Sequence, residues 1–212
     1  MTSNNNPSTL GTSVTFTATV TGTGDGAGTP GAGDGSVTFK DNVSVITGCN
    51  AVPLNASGQA TCTTAALSPG DHTVAAEYSG AANFAISTGS VLQHVHYDWN
   101  GFFRPVENLP ILNTVTAGQA IPVKFSLAGN QGLNIFATGY PISTKIACDT
   151  GAPLDEIEET VTAGGSSLSY DPGSGQYIYV WKTDKLWANT CRELTVKLND
   201  NTEHKATFKF RK

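Results

Sequence analysis

Apolar and polar residues alternate strictly over two stretches of this chain, and the two stretches echo each other. Thr9 to Val20 runs T-L-G-T-S-V-T-F-T-A-T-V, and Thr116 to Leu127 runs T-A-G-Q-A-I-P-V-K-F-S-L. In the first, Val14, Phe16, Ala18 and Val20 fall on one side, with Ser13, Thr15, Thr17 and Thr19 on the other. In the second, Ile121, Val123, Phe125 and Leu127 alternate with Pro122, Lys124 and Ser126. Successive side chains of a strand point to opposite faces, so each stretch predicts a strand with one dry and one wet face. Each is expected to open its own two-layer β-sandwich. The chain then divides into residues 1–95 and 96–212, both all-β and antiparallel.

Turn residues recur about every ten positions between further strand-like runs, as sandwiches require. In the first half these runs are Ser36–Asp41, Val43–Thr47, Val52–Leu54, Gln59–Thr64, His72–Ser79 and Thr88–Val95. In the second half they are Ser143–Cys148, Gln176–Lys182, Cys191–Leu198 and His204–Arg211, the last with Phe208 and Phe210 inward. Asp184–Thr190 predicts a helical turn, and Trp99–Val106 an aromatic segment at the domain junction. Pro122 cannot donate to a ladder, so it predicts a local edge or bulge.

Composition supports this. Charged residues are 14% of the 212, and the abundant Thr, Ser, Gly and Asn suit strands and turns rather than helices. Of the net charge of −5, the first 95 residues hold five acids against Lys40, and the rest twelve acids against eleven bases. No basic stripe is present, which argues against nucleic acid, and no apolar run is long enough for membrane insertion as a helix. Four cysteines fall two per half. Their distribution favours Cys49–Cys62 and Cys148–Cys191, and disulfides point to an oxidising compartment. No leader follows Met1, so the chain is either cytosolic or a piece of a longer exported protein; the cysteines favour the second, with the chain ending at Lys212 and neighbouring domains of that parent as partners.

Specific runs carry a resemblance. V-T-F-T-A-T-V (Val14–Val20), G-S-V-T-F-K-D (Gly35–Asp41) and L-S-P-G-D-H-T-V-A-A-E-Y-S-G-A-A-N-F-A (Leu67–Ala85) resemble the bacterial Ig-like repeat found in tandem on exported proteins, over residues 5–95. Ile121-Pro122-Val123-Lys124-Phe125, Gly132–Phe136 and Tyr179–Lys185 resemble the PxKF domain, over residues 97–212. The resemblance implies two tandem Ig-like antiparallel β-sandwiches, secreted or on the cell surface, acting as a non-catalytic spacer, fibre or adhesive segment. The alternative is a carbohydrate- or surface-binding accessory module of a larger secreted protein or enzyme. In the Ig-like family a further strand precedes Asn6-Pro7-Ser8, where this chain has only Met1–Asn5. A domain lacking that strand would expose the edge formed by Ser13, Thr15, Thr17 and Thr19 and invite self-association through it.

Few side chains carry chemistry. There is no nucleophile elbow, Gly-Lys-Ser loop or dinucleotide fingerprint, so no enzyme and no cofactor are expected. Asp155, Glu156, Glu158 and Glu159 are candidate calcium ligands, or a solvated acidic loop. Asp25 and Asp34 in Gly-Asp-Gly triplets suit turns better than calcium. Trp181, Trp187, Tyr177 and Tyr179 would line a glycan-binding face or fill a core, one tryptophan resting on Cys148–Cys191 as in immunoglobulin domains. Asn130, Gln131, Asn134, Phe136 and Tyr140 mark a candidate binding loop. Lys124 beside Asn199 or Asn201 would make an isopeptide bond, and His94 with His96 a metal pair.

Overall fold

The computed structural model describes residues 1–23, 28–159 and 168–212, the side chains of 155–159 excepted. The chain forms two compact units, Met1–His96 and Tyr97–Lys212. In the first, the strands are β1 (Thr2–Ser3), β2 (Ser8–Thr9), β3 (Val14–Thr19), β4 (Ser36–Asp41), β5 (Ser44–Val45), β6 (Val52–Pro53), β7 (Gln59–Thr64), β8 (Gly70–Tyr78) and β9 (Ser87–His96). One sheet runs β1-β3-β7, the other β2-β9-β8-β4-β5, with β6 also on β4. The apolar phase of β3 (Val14, Phe16) meets Val37, Phe39, Val74 and Tyr78 of the facing sheet in the core. Cys62 of β7 bonds Cys49, whose carbonyl accepts the Phe39 N–H, so this disulfide links one sheet to the flank of the other.

The expected open edge at β3 is corrected. Thr2 and Ser3 pair antiparallel with Thr17 and Phe16, and the Asn4 N–H and side chain close on Thr15. Strand β3 therefore lies between β1 and β7, and its edge at Thr15 and Thr17 is covered by the chain's own first residues. Two polar residues are too few to show a period, which is why this strand looked absent.

In the second unit the strands are β10 (Asn100–Phe103), β11 (Leu112–Thr116), β12 (Ala120–Ser126), β13 (Ile142–Ile146), β14 (Pro153–Glu159), β15 (Leu168–Asp171), β16 (Gln176–Lys182), β17 (Cys191–Lys197) and β18 (Glu203–Arg211), with a 3-10 turn at Lys185–Trp187 capped by Asp184. The sheets run β10-β12-β16-β15 and β11-β18-β17-β13-β14. Between them lie Phe125, Tyr177, Trp181, Leu194, Phe208 and Phe210, all essentially inaccessible. Pro122 pairs with Val180 on β16, while β10 reaches only as far as Lys124, so Pro122 lies on a local edge.

The two units repeat one plan. A short first strand (β1, β10) pairs antiparallel with the alternating strand (β3, β12). The chain then crosses, through cis Asn6-Pro7 in one unit and cis Arg104-Pro105 and Leu109-Pro110 in the other, to run parallel to the last strand of the opposite sheet. The aromatic entry segment belongs to the second unit itself. Trp99 stacks on His204 and on Phe125, with ring centroids 3.6 and 4.8 Å away, and Phe102 is buried.

Candidate functional site

Each unit joins its first and last segments in parallel, and buried amides hold the join. In the first unit Ser8 and Thr9 lie beside Val95 and His96, and the Leu10 N–H donates to the His96 carbonyl at 2.7 Å. The Asn6 side chain continues this ladder. Its Nδ2 donates to the Leu92 carbonyl at 2.7 Å and its Oδ1 accepts the His94 N–H at 2.9 Å. Behind it, fully buried Gln93 donates to the Asn5 carbonyl and Ser8 Oγ, and accepts from Ser3 Oγ. The sequence carried a signal for Gln93: a polar residue in the inward phase between Val91 and Val95. In the second unit β11 runs beside β18 from Leu112–Thr207 to Thr116–Arg211, and the Ala117 N–H donates to the Arg211 carbonyl. Buried Asn113 plays the matching part, donating to the carbonyls of Glu107 and Thr207 and accepting the Glu107 N–H.

Asn6→Ala removes both extensions of the first ladder. A cost of about 1–2 kcal/mol is expected, two neutral hydrogen bonds on an exposed side chain. Chemical denaturation of the first unit checks this, and a cost under a few tenths would mean that the side chain is not part of the join.

A second anchor fixes the start of the second unit. Asp200, 1% exposed, accepts the Tyr97 N–H at 2.6 Å on one oxygen, and both the N–H and hydroxyl of Thr202 on the other. Burial pushes the Tyr97 phenol above its ordinary 10.0, against the lowering effect of its bond to Asn199. Asp200→Asn turns one acceptor into a donor facing an N–H. The expected loss is about 1–3 kcal/mol, the cost of leaving a buried group unpaired, read as a lower unfolding midpoint of the second unit.

The sequence-derived sites fall differently. Tyr177, Tyr179 and Trp181 do not form a glycan face. The alternation of β16 points all three inward, Tyr177 onto Phe125 and Trp181 onto Phe208 and Phe210. Trp187 is half-buried under the Arg192 guanidinium, 4.0 Å from its ring. Neither tryptophan phase matches the disulfide. Cys191 pairs with Lys209 on one face of the sheet, while Arg192 pairs with Phe208, which Trp181 packs on, on the other. Several polar groups of the candidate loop are engaged within the unit. Asn130 accepts the Gly132 N–H, the Gln131 N–H donates to Tyr177 Oη, and the Asn134 carbonyl accepts from Asn199. Phe136 packs on Tyr179 and Phe125, and Tyr140 lies under Lys197. Lys124 stands across from Ile178 and Phe103 on its sheet, whereas Asn199 is engaged at Asn134 and Ile135 off the other sheet, so Lys124 and Asn199 are not brought together as an isopeptide pair.

Asp34 makes a turn, its carboxylate accepting the Gly31 N–H. His94 pairs with Asp71 at 2.6 Å. Among the described residues no group of three or more His, Cys, Asp or Glu gathers as a metal site. The acidic run lies on strand β14, not in a loop. The side chains of Asp155, Glu156, Glu158 and Glu159, and Asp25 altogether, lie outside the described residues. No helix among the described residues is long and apolar enough to cross a membrane.

Sequence reasoning missed a cleft in the first unit. It measures about 780 Å³ and is lined by Val20, Thr21, Tyr78, Phe84, Ile86 and Ser87. A smaller cavity of about 160 Å³ shares several of these residues and lies between the sheets at Met1, Ala18, Val37, Ala76 and Gly89. Both adjoin the first half of β9. Tyr78, at their meeting point, donates its hydroxyl to the Asp34 carbonyl, and burial first, then Asp34, raises its phenol above 10.0.

By its strands and sheets the chain is a tandem of Ig-like β-sandwiches. Residues 1–96 match the family described as bacterial Ig-like domain (group 3). No curated protein matches the chain. Similar solved structures include the fibronectin(III)-like modules of CbhA from Clostridium thermocellum, at 12% identity and TM-score 0.31, covering 99% of this chain and 93% of that one. Another is the N-terminal Ig1-2 module of the Drosophila receptor protein tyrosine phosphatase DLAR, at 10% and 0.30, covering 99% and 97%. A third is Bacteroides ovatus SGBP-B, solved with a mixed-linkage heptasaccharide, at 7% and 0.24, covering 98% and 43%. None of the three bears on function.

Proposed function

We propose that this chain is a non-catalytic, load-bearing spacer from an exported bacterial protein, its second unit a PxKF domain. The observation that carries the reading is that in both units the second strand (β2, β11) pairs parallel with the last (β9, β18). Tension enters β2 or β11 from its N-terminal side and leaves β9 or β18 at its C-terminal end. Two parallel strands pulled this way slide past each other, so their cross-links are loaded together. An antiparallel pair pulled at one end would open one bond at a time.

The disulfides add a limit on extension. Cys49–Cys62 spans 13 residues and Cys148–Cys191 spans 43, and neither segment lengthens when its unit unfolds. Two sulfur bridges also suit the oxidising exterior. The PxKF assignment rests on Ile121–Phe125, which forms the centre of β12, and on Tyr179–Lys182 beside it in β16.

The test is to stretch the oxidised 212-residue chain between Met1 and Lys212 on a single-molecule instrument. Two discrete ruptures are expected, one for each unit. Smooth extension without ruptures would remove the load-bearing role.

A further inference from the structure

Residues of β9 turn their backbone groups alternately to β8 and to the opposite edge. On that opposite edge His96 accepts from Leu10, His94 donates to Asn6 and Leu92 accepts from Asn6. The two-residue period therefore aims the N–H and C=O of Ser90 and Thr88 the same way. Among the described residues nothing pairs with them there. Ser87 to Ser90 is exposed throughout. The stretch has no charge and no proline, and its register with β8 is unbroken, so charge, proline and bulge, three of the devices that usually blunt a sheet edge, are absent from it. It is flanked by Ile86 and Leu92, exposed at 78% and 49%.

We propose that this edge pairs antiparallel with the same edge of a second copy of the chain, about a two-fold axis at Gly89. Backbone polarity sets the register: Thr88 of one copy meets Ser90 of the other, each pair exchanging N–H and C=O. The apolar ends agree with it. In the same register Ile86 of one copy faces Leu92 of the other, so the two exposed aliphatic residues at the ends of the edge cover each other, twice by symmetry. The inner face agrees too. Val91 of one copy stands across from Ser87 of the other, beside the cavity of about 160 Å³ at Gly89. A Cβ built on Gly89 meets nothing within 4 Å, so that space is open to a neighbour. A two-fold interface needs a patch complementary to itself, and this edge is complementary in backbone and in apolar ends. The pairing is lateral and independent of the load-bearing reading, which stands whether or not copies associate.

Sedimentation velocity on the full chain over a range of concentrations reads the association, and oxidative cross-linking reads the register. The wild type is expected to show a concentration-dependent dimer. Ser90→Pro deletes an outward N–H at a position where an edge strand tolerates proline, and loses it twice by symmetry. It should weaken the dimer by roughly 10- to 100-fold. Leu92→Lys, on an exposed side chain, should also return the protein to monomer. A non-hydrogen-bonded antiparallel pair holds its Cα atoms about 4.5 Å apart, within disulfide range. All native cysteines are paired, so in Gly89→Cys the new thiol is the free one. It should cross-link to its own copy far faster than Thr61→Cys, an exposed control on β7. A wild type that stays monomeric at every concentration overturns the proposal. So does a dimer that survives both edge variants, or cross-linking at position 89 no faster than at the control.

Discussion

Replacing Cys148 and Cys191 by alanine should destabilise the second unit by about 4 kcal/mol and lengthen its mechanical unfolding step by about 15 nm. The first figure is the loop entropy returned to the unfolded chain when a 43-residue cross-link is opened. The second is the extended length of the residues no longer held behind the bridge. Cys191 lies on the face of β17 away from Trp181, so the variant removes the link without emptying the aromatic core. The thermal midpoint of this unit should fall by about 15 °C. Opening Cys49–Cys62 is the smaller counterpart, about 3 kcal/mol and about 5 nm for its 13 residues. A second unit whose step length is unchanged by reduction would mean that the bridge does not lie within the unfolding segment.

Trp181→Ala should cost about 3–5 kcal/mol, the range for deleting a buried large aromatic residue. Trp181 is fully buried and packs edge-on to Phe208 at 5.0 Å and Phe210 at 5.9 Å, with Trp187 at 5.8 Å. Removing it separates the two sheets' aromatic layers where β16 faces β18. Trp181→Phe is the informative control. Among the described residues the buried indole Nε1 has no hydrogen-bond partner, so phenylalanine removes that donor along with part of the volume. Its expected cost is only about 1–2 kcal/mol. Equal losses for the two variants would contradict this packing.

The strands with a clean two-residue period were legible in the sequence. Residues 14–20 and 121–127 read as strands because Val, Phe and Ile recur on one phase, and β16, β17 and β18 were placed to within a residue or two. What failed was wherever polarity and position disagree. Pro153–Glu159 reads as a solvated acidic loop, yet it pairs with β13. Cys191-Arg192 invites the cysteine inward, yet the register turns Arg192 to the tryptophans and the disulfide to the other face. The first strands, β1 and β2, are two polar residues each, and long-range hydrogen bonds from Asn6 and Gln93 rather than any local pattern hold them. The free edge of β9 is a matter of sheet order. The run S-T-G-S has no apolar phase, and which strand lies beside it is decided some 80 residues away in sequence, at β2.

The most direct test of the load-bearing account compares two pulling directions on one unit. The first unit is tethered through its two ends, and separately through Tyr78 and Ser87, the facing ends of β8 and β9. End tethering loads the parallel β2–β9 join along the strands, while hairpin tethering peels the β8–β9 ladder bond by bond. The account predicts a rupture force several-fold higher for the ends than for the hairpin, falling when Asn6 is replaced by alanine. Equal forces in the two directions, unaffected by Asn6→Ala, would contradict it.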